Sequence, residues 1–515
     1  MNVIFKMPTS ADTHGAEGAQ FGLTSLFTFL TTLSLVYLTF VTWQWYRLSH
    51  IPGPLWASIS KFWIVRHSLK GTEASAIQEV TNQYGLLARI GPNELVTGEP
   101  DVLRKMMAVG SEYTRGPWYN AMKFEPGMDN LLSMRDEVAH TKLRNKMAAG
   151  YSGKENESME GTVDEQIAEF IHLIDRKYVS TTEDYRPVDF AQKTQYFTLD
   201  VISALAFGEP FGYLKEDVDL YDYIKITESY IPIMVVLANV PWLADLLHSR
   251  FFSGLLPKES DKIGFGAYIN VAKNAVAKRF VSTSNKQFDM LGSFMRHGMT
   301  AEEVSSESLL QVAAGSDTSA TTIRAVLLHL LSNPPAYMRL QAEIDDSIIR
   351  GKISSPIRDV EARQLPYLQA VIKEGLRILP PATGIMFRTV PPGGDVINGK
   401  FIPAGTQIGS SHLAVHHSKA IFGPDAEFFR PERWLDTSDP AGLAEMTNTV
   451  DLVFHYGKYR CLGSNVALME FNKVFVELLR VFEFSIVHPQ KAAMVSNAGI
   501  WIFKDFWVRV TRRAP

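Results

Sequence analysis

Residues 454–463 read Phe-His-Tyr-Gly-Lys-Tyr-Arg-Cys-Leu-Gly and hold Cys461, the only cysteine of a 515-residue chain. A helical pattern follows at once, from Ser464 to about Phe482. A sulfur at a helix start faces the positive end of the dipole, and Lys458 and Arg460 add cationic neighbours, so Cys461 is a candidate thiolate. Gly457 and Gly463 let the backbone approach a flat ligand closely. Hydrogen bonds and burial around such a sulfur tune the metal it holds. A free cysteine is more often an inert buried hydrophobe, but the glycine frame favours the reactive reading. One thiol closes no intrachain disulfide and builds no multi-cysteine metal site, which excludes a disulfide-stapled secreted scaffold.

Outward from this loop, composition fits a globular chain, with 46% hydrophobic and 21% charged residues. The net charge of −4 gives no reason to expect nucleic acid as a partner. Residues 21–46 carry no charged side chain and, as a helix, exceed the ~30 Å hydrocarbon core. Trp43, Trp45 and Tyr46 sit where an aromatic belt belongs. Arg47, Lys61, Arg66 and Lys70 follow with no acid until Glu73, which places the large C-terminal part in the cytosol. The expected organisation is a short lumenal segment (1–20), a transmembrane anchor (21–46), a Pro/Gly hinge (47–54) and one large domain (55–515).

That domain reads as mainly α with small β-sheets. Helical periodicity covers 162–176, 193–207, 305–331, 336–350 and 366–379. Asn333-Pro334-Pro335 stops the third of these. Residues 86–90 and 94–97 flank Gly91-Pro92-Asn93 as a hairpin, and 385–411 reads as short strands and turns. Ala314-Gly315-Ser316-Asp317-Thr318 lies mid-helix, where a glycine costs up to ~1 kcal/mol relative to alanine. It therefore implies close approach or a local opening, and Thr318 can bond back to a carbonyl. Glu374 and Arg377 share a helix face and can bridge. His412, His416 and His417 lack acidic or cysteine partners nearby and read as solvated or core histidines. No Walker loop or dinucleotide fingerprint is present.

These stretches together resemble the cytochrome P-450 superfamily of haem-thiolate monooxygenases, in wording closest to filamentous-fungal members of the pisatin-demethylase type. Phe454, Gly457, Cys461 and Gly463 match its cysteine loop, while Tyr459 stands where the family has an arginine. Glu374-Gly375-Leu376-Arg377 resembles its Glu-x-x-Arg helix, and Pro431-Glu432-Arg433-Trp434 its Pro-Glu-Arg-Phe motif. Residues 314–318 match its oxygen-activating helix. His140 and Arg144 stand where it has Trp-x-x-x-Arg, and Arg388 matches its strand arginine.

The resemblance implies a P-450 fold around one haem (heme b, iron protoporphyrin IX) with Cys461 as axial thiolate. Asp317 and Thr318 deliver protons. Ala314, Gly315, Phe454, Gly457 and Gly463 line the haem, and His140, Arg144, Arg388 and Tyr459 hold its propionates. Glu374, Arg377 and Arg433 form a structural charge network. Electrons come from an NADPH-cytochrome P-450 reductase docking near Lys142, Lys146, Lys458 and Arg460. Dioxygen is the co-substrate, the endoplasmic reticulum membrane is the location, and the product is an oxygenated lipophilic small molecule, a secondary-metabolite intermediate. Candidate substrate contacts are Tyr113–Leu131, Ile231–Phe252, Thr383–Phe387 and Asn497–Ile502. The alternatives are a haem-thiolate isomerase or dehydratase without a reductase, and a non-catalytic membrane protein that binds a hydrophobic ligand.

Overall fold

The computed structural model describes residues 11–513 except 126, 157, 253, 255, 257, 259–260, 262–263 and 282–287. Residues 1–10, half of the expected lumenal segment, lie outside the described residues. The organising element is the central helix Ala301–Leu331. Thr300 starts it with a reciprocal capping box, accepting from Glu303 N–H at 3.1 Å while its own N–H donates to the Glu303 carboxylate at 3.0 Å. Asn333 ends the region by capping the next helix, Pro334–Ile349. From Ser319 to Leu327 the central helix is buried on every side, the pattern of a helix in the interior of a large domain.

Its main partner is Phe190–Phe207, itself almost wholly buried. Gly315 sits at their crossing, where a β-carbon would come within 2.9 Å of Ile202 Cγ1. The mid-helix glycine does mark a close approach, and the approaching group is a neighbouring side chain. Met159–Lys177, Pro366–Ile378 and Ser464–Val481 complete the helices whose periodicity is visible in the sequence. Glu137–Tyr151 and Tyr223–Asn239 are further helices without such a signal. The second contains Pro232 and is apolar on most sides, so no polar face reveals its period.

The sheets are small. The largest has the strand order Leu87–Arg89, Glu94–Thr97, Gln407–Ser410, Arg388–Thr389, Thr114–Arg115. The expected hairpin is its antiparallel edge, with Leu87 opposite Thr97. At the other edge Arg115 lies directly opposite Arg388.

The helix Ala11–Arg47 runs ahead of the domain, and its stretch Ser25–Arg47 is long and apolar enough to cross a membrane. Its base is stitched to the domain by Arg89. The buried Arg89 guanidinium donates to the last-turn carbonyls of Gln44 and Trp45 at 3.2 and 3.0 Å. Arg89 N–H also donates to Pro52 O at 2.8 Å. A side chain on Gly53 would collide with the Arg89 carbonyl.

Candidate active site

The cysteine loop is built from successive tight turns. Tyr459 N–H donates to Tyr456 O, Arg460 N–H to Gly457 O, and Cys461 N–H to Phe454 O at 2.8 Å. Gly457 has φ +54° and presses on the Met107 carbonyl, at 2.2 Å from where a β-carbon would stand. Only glycine meets both demands. The helix Ser464–Val481 starts directly behind the sulfur. Backbone N–H groups of Gly463 and Ser464, with Arg144 and Arg460, pull the Cys461 thiol pKa down. Burial outweighs them and pushes it above the ordinary value. The helix-start donors and cations favour the thiolate as expected, and a bound metal would complete the deprotonation against the cost of burial. Cys461 lies deep within the protein yet is exposed, as a side chain opening onto an internal space is.

Tyr459, Arg115, Arg388, His140, Arg144 and Lys458 form a cationic cradle beside this loop. Arg115 and Arg388 are almost fully buried, and the Nε of each finds no hydrogen-bond partner among the described residues. His140 Nδ1 is likewise unpartnered, and burial beside Arg115, Arg144 and Arg388 lowers its pKa to about 3. Among the described residues the carboxylate hydrogen-bonded to these groups is Glu137. It accepts from the Tyr459 hydroxyl and lies 3.3 Å from Lys458 Nζ. In this structure the Tyr459 hydroxyl thus donates to a protein carboxylate. Lys458 also donates to the carbonyls of Ser111 and Tyr113, both at 3.0 Å. It ties loops together and is no surface docking charge. Lys146 is paired with Glu303 at 2.8 Å, leaving Lys142 and Arg460 as the exposed members of the expected docking set.

On the central helix, Ala314 is exposed between half-buried neighbours, and Thr318 Oγ1 donates back to its carbonyl at 2.8 Å. Asp317 turns to another side. Its carboxylate accepts from Gln195 at 3.0 Å and Tyr223 at 3.4 Å. Burial pushes its pKa up to about 6, with Arg324 and Gln195 opposing. It lines a cavity of about 310 Å³ with Asp189, Gln195, Arg324 and Glu228 as well as apolar side chains such as Ile231 and Trp501, and the exposed Lys225 and Lys504 also line it. A carboxyl of this kind can hold a proton near neutral pH and exchange it with solvent through that cavity.

Behind these elements, Glu374 and Arg377 form a fully buried fork, with contacts of 2.7 and 2.9 Å. Arg433 Nε reaches the same carboxylate at 3.0 Å. Trp434 Nε1 and Arg430 N–H donate to it as well, at 2.9 and 2.8 Å. The remaining arginine donors go to carbonyls of Phe422, Asp425, Ala426, Phe428 and His416, and Arg433 Nη1 also to the Asp425 carboxylate at 3.1 Å. His412 and His416 are buried histidines whose pKa desolvation lowers to about 3. Among the described residues no cluster of three metal-ligating side chains occurs.

The cytochrome P450 family model matches residues 50–502. The chain belongs to the cytochrome P450 family. It is 41% identical over 476 residues to cytochrome P450 monooxygenase ABA1 of Pyricularia oryzae, covering 91% of this chain and 93% of that one. To aba1 of Botryotinia fuckeliana it is 40% identical over 468 residues, 90% and 92% of the two chains. To abl1 of Leptosphaeria maculans it is 37% identical over 466 residues, 89% and 82%. The chain is a P450 monooxygenase, an oxygen-incorporating oxidoreductase.

P450 proteins bind haem through a cysteine thiolate, and Cys461 is the only cysteine available. The residues present fit that group. A buried cluster of arginines with unpartnered Nε atoms calls for anions, which two propionates would supply. The backbone donors aimed at Cys461 suit a ligating sulfur. Arg115 belongs to this cradle and escaped the sequence reading. Its only local signal is Tyr-Thr-Arg-Gly-Pro, and its role depends on the strand register opposite Arg388.

The four stretches expected to touch substrate are brought together. Trp118, Tyr119 and Met122 pack with Leu237, Ala238, Ile385 and Phe387. Ile231 and Val235 pack with Ala498 and Ile500. The helices Tyr223–Asn239 and Pro241–Leu247 bend by 114° where they meet, which folds the 231–252 stretch around this region.

Proposed function

We propose that this P450 inserts one oxygen atom of dioxygen into a lipophilic small molecule, an intermediate of secondary metabolism. An NADPH-cytochrome P450 reductase supplies the electrons. The protein works as a single-pass protein of the endoplasmic reticulum membrane with its large domain in the cytosol. Bound haem supplies oxygen activation, to which electron donation from a thiolate contributes by favouring O–O cleavage.

The observation that carries the reading is the Asp317–Thr318 pair. Thr318 keeps its hydroxyl anchored on the Ala314 carbonyl, along the helix face that is exposed. Asp317 keeps a proton-exchanging carboxyl on the solvent-connected side. An isomerase or dehydratase has no need of this proton supply. The apolar clusters around Trp118, Phe387 and Val235 support a lipophilic substrate. The basic flank after residue 46 supports the cytosolic orientation.

In reconstituted membranes, Asp317→Asn lowers NADPH-driven product formation on the order of a hundredfold, the range of a lost general acid. The parent rate falls as pH rises through about 6, because the protonated carboxyl is depleted, and the Asn variant lacks that limb. An unchanged rate in the Asn variant, or no NADPH-dependent oxygen consumption in the parent, counts against monooxygenation through this pair. The exposed Lys142 and Arg460 are the charges left to meet an acidic reductase. Turnover of the Lys142→Glu/Arg460→Glu double variant drops and loses salt sensitivity; indifference to both changes rejects that docking face.

A further inference from the structure

The strand register creates a problem that the rest of the cradle has to solve. Arg115 and Arg388 are cross-strand partners at a sheet edge, both nearly fully buried. Like charges directly opposite each other repel, and burial strengthens that repulsion. Their protein hydrogen bonds are few: Arg115 donates to the carbonyls of Leu131 and Met134, and Arg388 to the Tyr119 hydroxyl. Neither guanidinium donates to a carboxylate among the described residues; the Arg115 main-chain N–H reaches Glu137 Oε1 at 3.4 Å. What both share is an aromatic face. Arg388 Cζ lies 3.9 Å from the centroid of the Tyr459 ring, and Arg115 Cζ lies 4.7 Å from it. Tyr119 is a second, more distant ring, at 5.1 and 5.2 Å. His140 flanks Tyr459 with ring centroids 5.6 Å apart, and Lys458 Nζ lies 5.1 Å from the ring.

We propose that Tyr459 is a positioning residue for haem. Its ring is the platform that holds Arg115 and Arg388 side by side with their donors directed at the propionates, and Glu137 fixes the ring by accepting from its hydroxyl. A guanidinium over an aromatic face is attracted by the ring quadrupole, and one ring can carry two cations that repel each other. The position therefore organises two arginines in place of supplying a third. A third guanidinium here would add to the repulsion and remove the surface on which the others rest. This inference rests on haem occupying the site.

The test measures haem loss from the purified oxidised holoprotein to excess apomyoglobin, with the reduced carbon monoxide spectrum as a check on Cys461 ligation. Tyr459→Phe keeps the ring and loses haem within about threefold of the parent rate; Tyr459→Leu loses it at least about tenfold faster, the scale of a desolvated cation–π pair. Tyr459→Trp behaves like the Phe variant. Tyr459→Arg behaves like the Leu variant. The reduction potential separates positioning from mere packing: it stays at the parent value in Phe and falls in Leu, because the two cations drift from the haem edge. Equal loss rates for Leu and Phe, or an Arg variant as retentive as the parent, overturn the proposal. If Leu yields no folded holoprotein, the Phe, Trp and Arg variants decide, since a ring platform requires Phe and Trp to retain haem better than Arg. A parent preparation that never takes up haem would instead strike at the site reading itself.

Discussion

Cys461→Ser abolishes both the far-shifted thiolate absorption of the reduced carbon monoxide complex and all oxygen insertion, while the protein still folds. The separation of the two effects follows from the loop. Its shape is held by main-chain bonds from Cys461 N–H to Phe454 O and from Arg460 N–H to Gly457 O, and by the contact of Gly457 with Met107. None of these uses the sulfur. Serine is nearly isosteric, and the Gly463 and Ser464 amides that act on the thiol can serve a hydroxyl equally well. The chemistry is different: a serine hydroxyl stays protonated under conditions in which a metal deprotonates a thiol. With a single cysteine in the chain, no second thiol can replace it. Circular dichroism and thermal melting of the variant should match the parent, and the carbon monoxide spectrum should not. A thiolate-type peak in the serine variant would overturn the assignment of Cys461 as ligand.

The sequence revealed those parts of the site that are contiguous in the chain. The cysteine loop, residues 314–318 and the Glu374/Arg377 turn are each set by spacing along one element, and spacing is visible without coordinates. The long, strongly periodic helices were visible for the same reason, whereas Tyr223–Asn239, apolar on most sides, gave no period to read. What stayed hidden depends on long-range register. Arg115 becomes a cradle residue only because its strand pairs with Arg388. Glu137 matters only because its helix delivers a carboxylate to the Tyr459 hydroxyl. Lys458 looked like a surface cation, since nothing near it in sequence shows that the Ser111 and Tyr113 carbonyls will surround its ammonium. Gly315 was legible as a close approach but not as a contact with Ile202, because the crossing partner lies on another helix.

Glu374→Ala has the largest expected effect on folding. One carboxylate, with no exposure, receives five donated hydrogen bonds from Arg377, Arg433, Trp434 and the Arg430 amide. Removing it leaves the Arg377 guanidinium buried without a counter-charge among the described residues, and Arg433 with the half-exposed Asp425 carboxylate, 3.1 Å from its Nη1, in its place. Breaking one member of a buried ion network costs about 3–5 kcal/mol, against a total stability of about 5–15 kcal/mol for a folded protein. The alanine variant should therefore accumulate little folded, haem-loaded protein, read as carbon monoxide-binding material per unit of total chain. Glu374→Gln keeps acceptor oxygen and shape but not charge, and should fall between the two. Trp434→Phe is the control that isolates one donor: it removes a single hydrogen bond to a charged group, about 1.5–3 kcal/mol, and should give a folded protein with a lowered melting temperature. The arginines have less at stake from that change, since their other donors stay satisfied by the Phe422, Asp425, Ala426 and Phe428 carbonyls. If Glu374→Ala folded and loaded haem as well as Trp434→Phe, the buried carboxylate would not be the keystone of this region, and those carbonyls with Asp425 would suffice to hold the arginines.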